Sequence, residues 1–170
     1  FDNVFQVRNI ISGKDIKSFV DNKKPKSAIV VGAGFIGLEV SEQLKNLGID
    51  VTIIQRSKHP MGHLDWDMSI RIEDELEKQN ISFLSEEVII ETNGDQTLES
   101  VVTSKGHTLR ADLYILATGV RPNTLLAESI GVKLGETGAI ATDTTMETNI
   151  NGVYAVGDVA ESFQLITGRS

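Results

Sequence analysis

The chain has 170 residues, 40% of them hydrophobic and 24% charged, an ordinary balance for one globular domain with a real core. Its formal net charge of −8 argues against non-specific nucleic-acid binding, which needs a basic face. The sequence contains no cysteine, which excludes disulfides, a CxxC redox pair, a cysteine nucleophile and a thiolate metal site, and fits a cytoplasmic protein. No apolar run approaches the roughly 20 residues of a membrane span, and FDNVFQVRNI does not read as a secretory signal.

In chain order, DIKSFV (15–20) reads as a short helix and NKKPK (22–26) as a basic, Pro-containing connector. SAIVV (27–31) is a buried strand ended by Gly32. Ile36, Val40, Leu44 and Leu47 then mark one face of a helix ended by Gly48, and DVTIIQ (50–55) is a second strand. Strand, helix and strand in this span make a βαβ unit with parallel strands. A second helix is expected over 67–79, with Met68, Ile72 and Leu76 inward, and a strand at ISFL (81–84). The segments 88–91, 98–102 and 108–111, separated by NGDQ and SKGH, predict an antiparallel meander. LYILA (113–117) is another parallel-type strand, 124–130 a short helix, and VYAV (153–156) a last strand after a loop-rich stretch.

The segment GAGFIGLE places Gly32, Gly34 and Gly37 between a strand and an amphipathic helix, the context a dinucleotide-binding turn requires. Gly32 permits the tight turn, Gly34 lets a pyrophosphate approach the backbone, and Gly37 lets the helix pack on the strand. The free N–H groups and the positive end of the helix dipole then face the phosphates. The alternative is a glycine-rich turn that holds nothing. The end of the second strand, about 20 residues on, distinguishes the two cofactors, because an acid there binds a ribose 2′-hydroxyl and repels a 2′-phosphate. Here stand Gln55, Arg56, Ser57 and Lys58, with no carboxylate. Arg56 and Lys58 suit a 2′-phosphate, so NADPH is expected. The other reading has the two cations solvated and Gln55 bonded to the hydroxyl of NADH. Further on, TNINGVYAVGDVAE puts Gly157 and Asp158 after an apolar run, where glycine allows close approach and aspartate can bind a polyol hydroxyl.

GAGFIGLE, LATGVRPN and TNINGVYAVGDVAE, in this order and spacing, resemble the FAD-dependent pyridine nucleotide-disulfide oxidoreductases, most of all the coenzyme A-disulfide reductase, NADH oxidase and NADH peroxidase branch. The resemblance covers essentially the whole chain. It implies an α/β Rossmann-type parallel sheet with an antiparallel β-meander, flanked by remnants of an FAD-binding domain. Residues 1–25 would be the linker from an FAD domain, 26–141 the NAD(P)-binding domain, and 142–170 the returning FAD-domain segment. The chain then reads as a fragment lacking the first FAD motif, the redox cysteine and a C-terminal dimerisation domain, and inactive alone. The whole protein would pass hydride from NAD(P)H to FAD and on to a disulfide, oxygen or a peroxide, as a homodimer.

By the same resemblance, Asp158 would hold the FAD ribityl chain with Gly157 beside it. Gly32, Gly34, Ile36 and Gly37 would form the pyrophosphate turn. Glu39 would lie near the nicotinamide, Phe35 would stand where relatives often carry a gating tyrosine, and Gly119 and Val120 would lie against the nicotinamide ribose and ring. Glu39 as a first-turn acid favoured by the helix dipole, Phe35 as packing between domains and Asp158 as a cap are the plainer alternatives. Arg121 and Asn123 shape a loop. His59 and His63 with Asp65 and Asp67 are discounted as a metal site, since Pro60 and Gly62 lie between the histidines; Asp65 or Asp67 is a helix cap and Trp66 packing. No GxSxG elbow supports a hydrolase. The rivals are a stand-alone NAD(P)H-sensing module and, among enzymes, a ferredoxin- or rubredoxin-type reductase.

Overall fold

The computed structural model describes residues 1–161, which fall into two compact units, 1–119 and 120 onward. The first unit is built on a five-stranded parallel sheet. Its strands are β1 (Val4–Gln6), β2 (Ser27–Val31), β3 (Asp50–Gln55), β4 (Ser82–Ser85) and β8 (Leu113–Leu116), in the order β1-β8-β2-β3-β4. Between them run α1 (Ile10–Lys23), α2 (Phe35–Asn46) and α3 (Trp66–Lys78). The strands alternate as a two-residue repeat demands. Ala28, Val30, Val51, Ile53, Leu113 and Ile115 share one core with the helices. Ile29, Ile54 and Tyr114 form another with Leu98 and Val101 of a separate sheet. That sheet is the expected meander, β5 (Ile89–Gly94), β6 (Leu98–Thr103) and β7 (Thr108–Leu109), antiparallel in the order β5-β6-β7. Strand succession reverses at β2, with β3 on one side and β8 on the other. The crevice at such a switch point, outside the carboxyl ends of the strands, is where open α/β sheets bind ligands.

Several expectations change. Residues 1–25 carry more regular structure than the sequence suggests. β1 closes the open edge of β8, with Val4 opposite Tyr114, and Asn3 is buried. The short helix at 15–20 is a 14-residue α1, started by a capping box in which Asn9 Oδ1 accepts from Ser12 N–H and Ser12 Oγ accepts from Asn9 N–H. On α2 Gly37, Ser41 and Leu44 are buried and Val40 packs half-buried on the same core, as expected, while Leu47 is 66% exposed past the helix end. A glycine and a serine on the packing face bring α2 close to the sheet. On α3, Leu76 and Ser69 are buried, Met68 points out, and Trp66 is 68% exposed at the helix start rather than packed. Asp65 takes the N-cap position with no side-chain capping bond.

In the second unit, α4 (Leu125–Ser129) follows Thr124, and Val132, Ile140 and Ala155 form a small core. The run 153–156 is not a strand: Tyr154 makes a single bridge to Glu147, and the chain then turns through a 3-10 helix, Gly157–Val159. Among the described residues this run has no neighbouring strand to ladder against. The compact units divide at 119/120, whereas the sequence places a boundary at 141/142. The end of the expected 142–170 segment, from 162 on, lies outside the described residues. Among the described residues no helix is long and apolar enough to cross a membrane.

Candidate dinucleotide site

A cavity of about 690 Å³ opens at the carboxyl ends of β2, β3 and β8, within the first unit. Its rim is Gly32, Ala33 and Gly34 from the β2–α2 turn, Gln55, Arg56 and Ser57 from the end of β3, and Thr118 and Gly119 after β8. Its far wall carries Glu87, Val88 and Ile89, ahead of and entering β5.

The glycine turn has three distinct glycines. A Cβ on Gly32 would fall on the carbonyl oxygen of Ala117, and one on Gly37 would fall on the carbonyl oxygen of Gly32. These two let the turn cross the end of β8 and let α2 start against β2. Gly32 also has φ 106°, open to glycine. A Cβ on Gly34 would meet nothing within 4 Å, so the space beside it is free for a ligand. Gly34 is the N-cap of α2 with no side-chain capping bond, so among the described residues no side chain satisfies the first-turn amides of Phe35, Ile36 and Gly37. The turn therefore offers donors, dipole and room, the features a pyrophosphate fits.

At the end of β3, Arg56 and Lys58 are exposed, and neither joins an ion pair among the described residues. Only Arg56 of the two lines the cavity. Gln55 is half-buried, and its amide is engaged by the protein itself: Oε1 accepts from Ala33 N–H at 3.1 Å and Nε2 donates to Ser57 Oγ at 2.6 Å. Glu87 is 3% exposed. A hydrogen bond from Thr103 and the His107 ring, 2.9 Å away, hold its carboxyl below the usual glutamate range, and burial opposes them.

The structure thus brings Gly32, Gly34, Gln55, Arg56 and Gly119 to one cavity. Gly37 and Ile36 stand behind the turn, as packing and half-buried backbone. Phe35 is 64% exposed, with its ring against that of His63, centroids 5.1 Å apart. Glu39 lies on the α2–α3 groove with Ile72 and Glu75, away from the cavity lining. Val120, Gly157 and Asp158 belong to the second unit, where all three are exposed. Gly157 has φ 77° and Asp158 sits in the first turn of the 3-10 helix. Ala33, Ser57, Thr118 and Glu87 are lining residues the sequence reading did not single out. Three of them adjoin a strand's carboxyl end or the glycine turn, which is the signal that locates them. His59 is held by Glu73, Nδ1 to Oε1 at 2.6 Å, rather than by a ligand set, and the described residues contain no His/Cys/Asp/Glu group able to hold a metal ion.

A parallel sheet with a glycine turn at its switch point and a meander on one face defines a Rossmann-type dinucleotide-binding domain. The family model for pyridine nucleotide-disulphide oxidoreductases matches residues 2–168, and the chain belongs to that family. It is 41% identical over 155 residues to the NAD(P)H sulfur oxidoreductase (CoA-dependent) of Pyrococcus abyssi, covering 91% of this chain and 34% of that protein. The chain thus spans about a third of the length of that relative. The NAD-dependent persulfide reductase of A. fulgidus superposes with a TM-score of 0.92 at 33% identity, over 99% of this chain and 31% of that one. An engineered water-forming NADPH oxidase, solved with NADPH, superposes with a TM-score of 0.84 at 29% identity, over 99% of this chain and 37% of that one; its parent, the NADH oxidase of Lactobacillus brevis, was solved with NADH.

Proposed function

We propose that the chain is the nicotinamide-dinucleotide-binding part of a flavoprotein oxidoreductase, that it favours NADPH, and that alone it binds without turning over. The observation that carries this is the open Gly34 turn facing Gln55-Arg56-Ser57, with no carboxylate at the end of β3. Turn amides hold the pyrophosphate, and Arg56 at the rim pairs with the 2′-phosphate. The engineering of the NADPH oxidase supports this: among its substitutions, a consecutive Asp-Ala-Met became Ala-Arg-Ser. That change removes an acid and installs an Arg-Ser pair of the kind that follows Gln55 here. Residues 26–141 would form the NAD(P) domain, with 1–25 and 142–170 joining it to an FAD domain where Gly157 and Asp158 meet the flavin's ribityl chain. Phe35 and Glu39, on α2 outside the cavity lining, would border the nicotinamide end. The chemistry the bound cofactors supply is hydride transfer from reduced nicotinamide to flavin, with the electron pair passed on to a disulfide, oxygen or a peroxide. Cytoplasmic residence and a homodimeric whole protein complete the reading.

The test is calorimetric titration of NADH and NADPH into this chain, with Arg56→Ala beside it. NADPH should bind more tightly, and Arg56→Ala should weaken NADPH on the order of ten-fold or more while leaving NADH within about two-fold. Equal loss for both cofactors would remove the 2′-phosphate argument, and binding of neither would remove the function. Rapid NADPH oxidation by this chain with added FAD would contradict inactivity.

A further inference from the structure

The residue at the end of β3 faces the cavity, yet its side chain turns to the protein. Ala33 is fully buried in the glycine turn, and its N–H donates to Gln55 Oε1 at 3.1 Å. This fixes the orientation of the amide, because only the oxygen can accept. Gln55 Nε2 then donates to Ser57 Oγ at 2.6 Å, and Ser57 Oγ donates to the His59 carbonyl at 2.9 Å. The bonds run in one direction, from Ala33 N–H through the Gln55 amide and the Ser57 hydroxyl to the His59 carbonyl. From the other side, Met61 N–H donates to the Ala33 carbonyl at 2.8 Å. Ala33 therefore has both backbone groups tied to the 55–61 loop, the N–H through the side chain of Gln55 and the carbonyl directly. The main chain of Gln55 is held as well, by Glu87 N–H on its carbonyl at 2.9 Å.

We propose that Gln55 is a positioning residue, and not a cofactor contact: it clamps the glycine turn to the basic loop and leaves recognition of the ribose 2′-substituent to Arg56. The proposal rests on the dinucleotide-binding reading above. Its consequence differs from that of a residue that reads the ribose. A ribose ligand at this position serves the 2′-hydroxyl, so its loss weakens NADH selectively. A clamp serves the pyrophosphate turn, which both cofactors share, so its loss weakens both together.

Three forms of the chain separate these: wild type, Gln55→Met, which keeps the size but cannot accept from Ala33, and Gln55→Glu, which keeps the acceptor and adds charge. Each is titrated with NADH and NADPH, and amide exchange at Ala33 is followed by NMR without ligand. Gln55→Met should raise both Kd values about ten-fold, keep their ratio within about two-fold, and speed exchange at Ala33 while Val30 stays protected. Gln55→Glu should restore Ala33 protection and bring NADH affinity to within about three-fold of wild type, while NADPH weakens at least ten-fold beside the new carboxylate. Selective loss of NADH in Gln55→Met, or unchanged affinities with unchanged Ala33 exchange, overturns the proposal. Should Gln55→Met fail to fold, Gln55→Asn, whose shorter side chain draws the acceptor away from Ala33, decides: joint weakening of both cofactors with faster Ala33 exchange supports the clamp, and selective loss of NADH or unchanged Ala33 exchange rejects it. If wild type binds neither cofactor the functional reading falls, and Ala33 exchange still tests the clamp on its own.

Discussion

Glu87 shows what a single buried side chain does in this cavity wall. Its carboxylate accepts from Thr103 and lies 2.9 Å from His107 Nδ1, and together these depress its pKa against the opposing effect of burial. A depressed folded-state pKa means stability that is fully present above the ordinary glutamate range and lost as the pH falls through the folded value. Wild type should therefore melt above Glu87→Gln at pH 6, and the gap in Tm should shrink steadily toward pH 3. A gap independent of pH would show that the charge does not matter to the fold. Neither Glu87 nor the Gln55–Ala33 bond was legible in the sequence. Gly32, Gly34 and Gly37 were, because their spacing is local: Gly32 and Gly37 have no room for a side chain against backbone, and Gly34 leaves room for a ligand. A partner 22 residues away along the chain, as Gln55 is to Ala33, is set by the register of neighbouring strands, and that register emerges only when the sheet forms.

Helix α1 makes the same point for elements. Only 15–20 reads as helical, because Ile10 and Ile11 are exposed and Gly13 interrupts the pattern, so the 3.6-residue periodicity fades. The start signal is a cap: Asn9 with Ser12 at the third helical position, a less common partner than glutamate or glutamine. Asn9→Ala should cost about 1 kcal/mol and lower Tm by roughly 2–4 °C in a chain of this size. An unchanged Tm, with amide exchange in the first turn of α1 also unchanged, would mean that packing of Ile16, Phe19 and Val20 holds the helix without its cap. The central elements were easier to read. β2 and β8 are near-continuous apolar runs and β3 carries Val51, Ile53 and Ile54 inward, because both faces of the sheet are covered, and the turn signals of NGDQ and SKGH separate the meander strands. The run at 153–156 has a strand's composition but, among the described residues, no partner strand, which composition alone does not reveal.

At the scale of the first unit, the question is what joins two sheets whose strands never pair with one another. Apolar packing of Ile29, Ile54 and Tyr114 on Leu98 and Val101 supplies area but no direction. Direction comes from Asn3. Its Nδ2 donates to the Leu98 carbonyl at 3.0 Å and to the Asp112 carbonyl at 3.2 Å, and its Oδ1 accepts from Leu98 N–H at 2.9 Å. Beside it, the Asn3 carbonyl accepts from Tyr114 N–H at 2.9 Å, and Asp2 N–H donates to the Gln96 carbonyl at 2.8 Å. One buried amide thus satisfies both backbone groups of Leu98 on the meander and meets the entry to β8 on the parallel sheet. Asn3→Ala leaves the buried N–H and carbonyl of Leu98 without those partners, a loss on the order of 3 kcal/mol. The expected result is a Tm lower by about 6–12 °C, with amide exchange accelerated at Leu98 more than at Ile53 in the centre of the sheet. Packing does not replace a hydrogen bond to a buried amide, so a leucine at the same position should be no rescue. If Asn3→Ala costs under about 1 kcal/mol and Leu98 stays protected, then the apolar interface alone orients the meander on the sheet. The first six residues would in that case contribute only an edge strand.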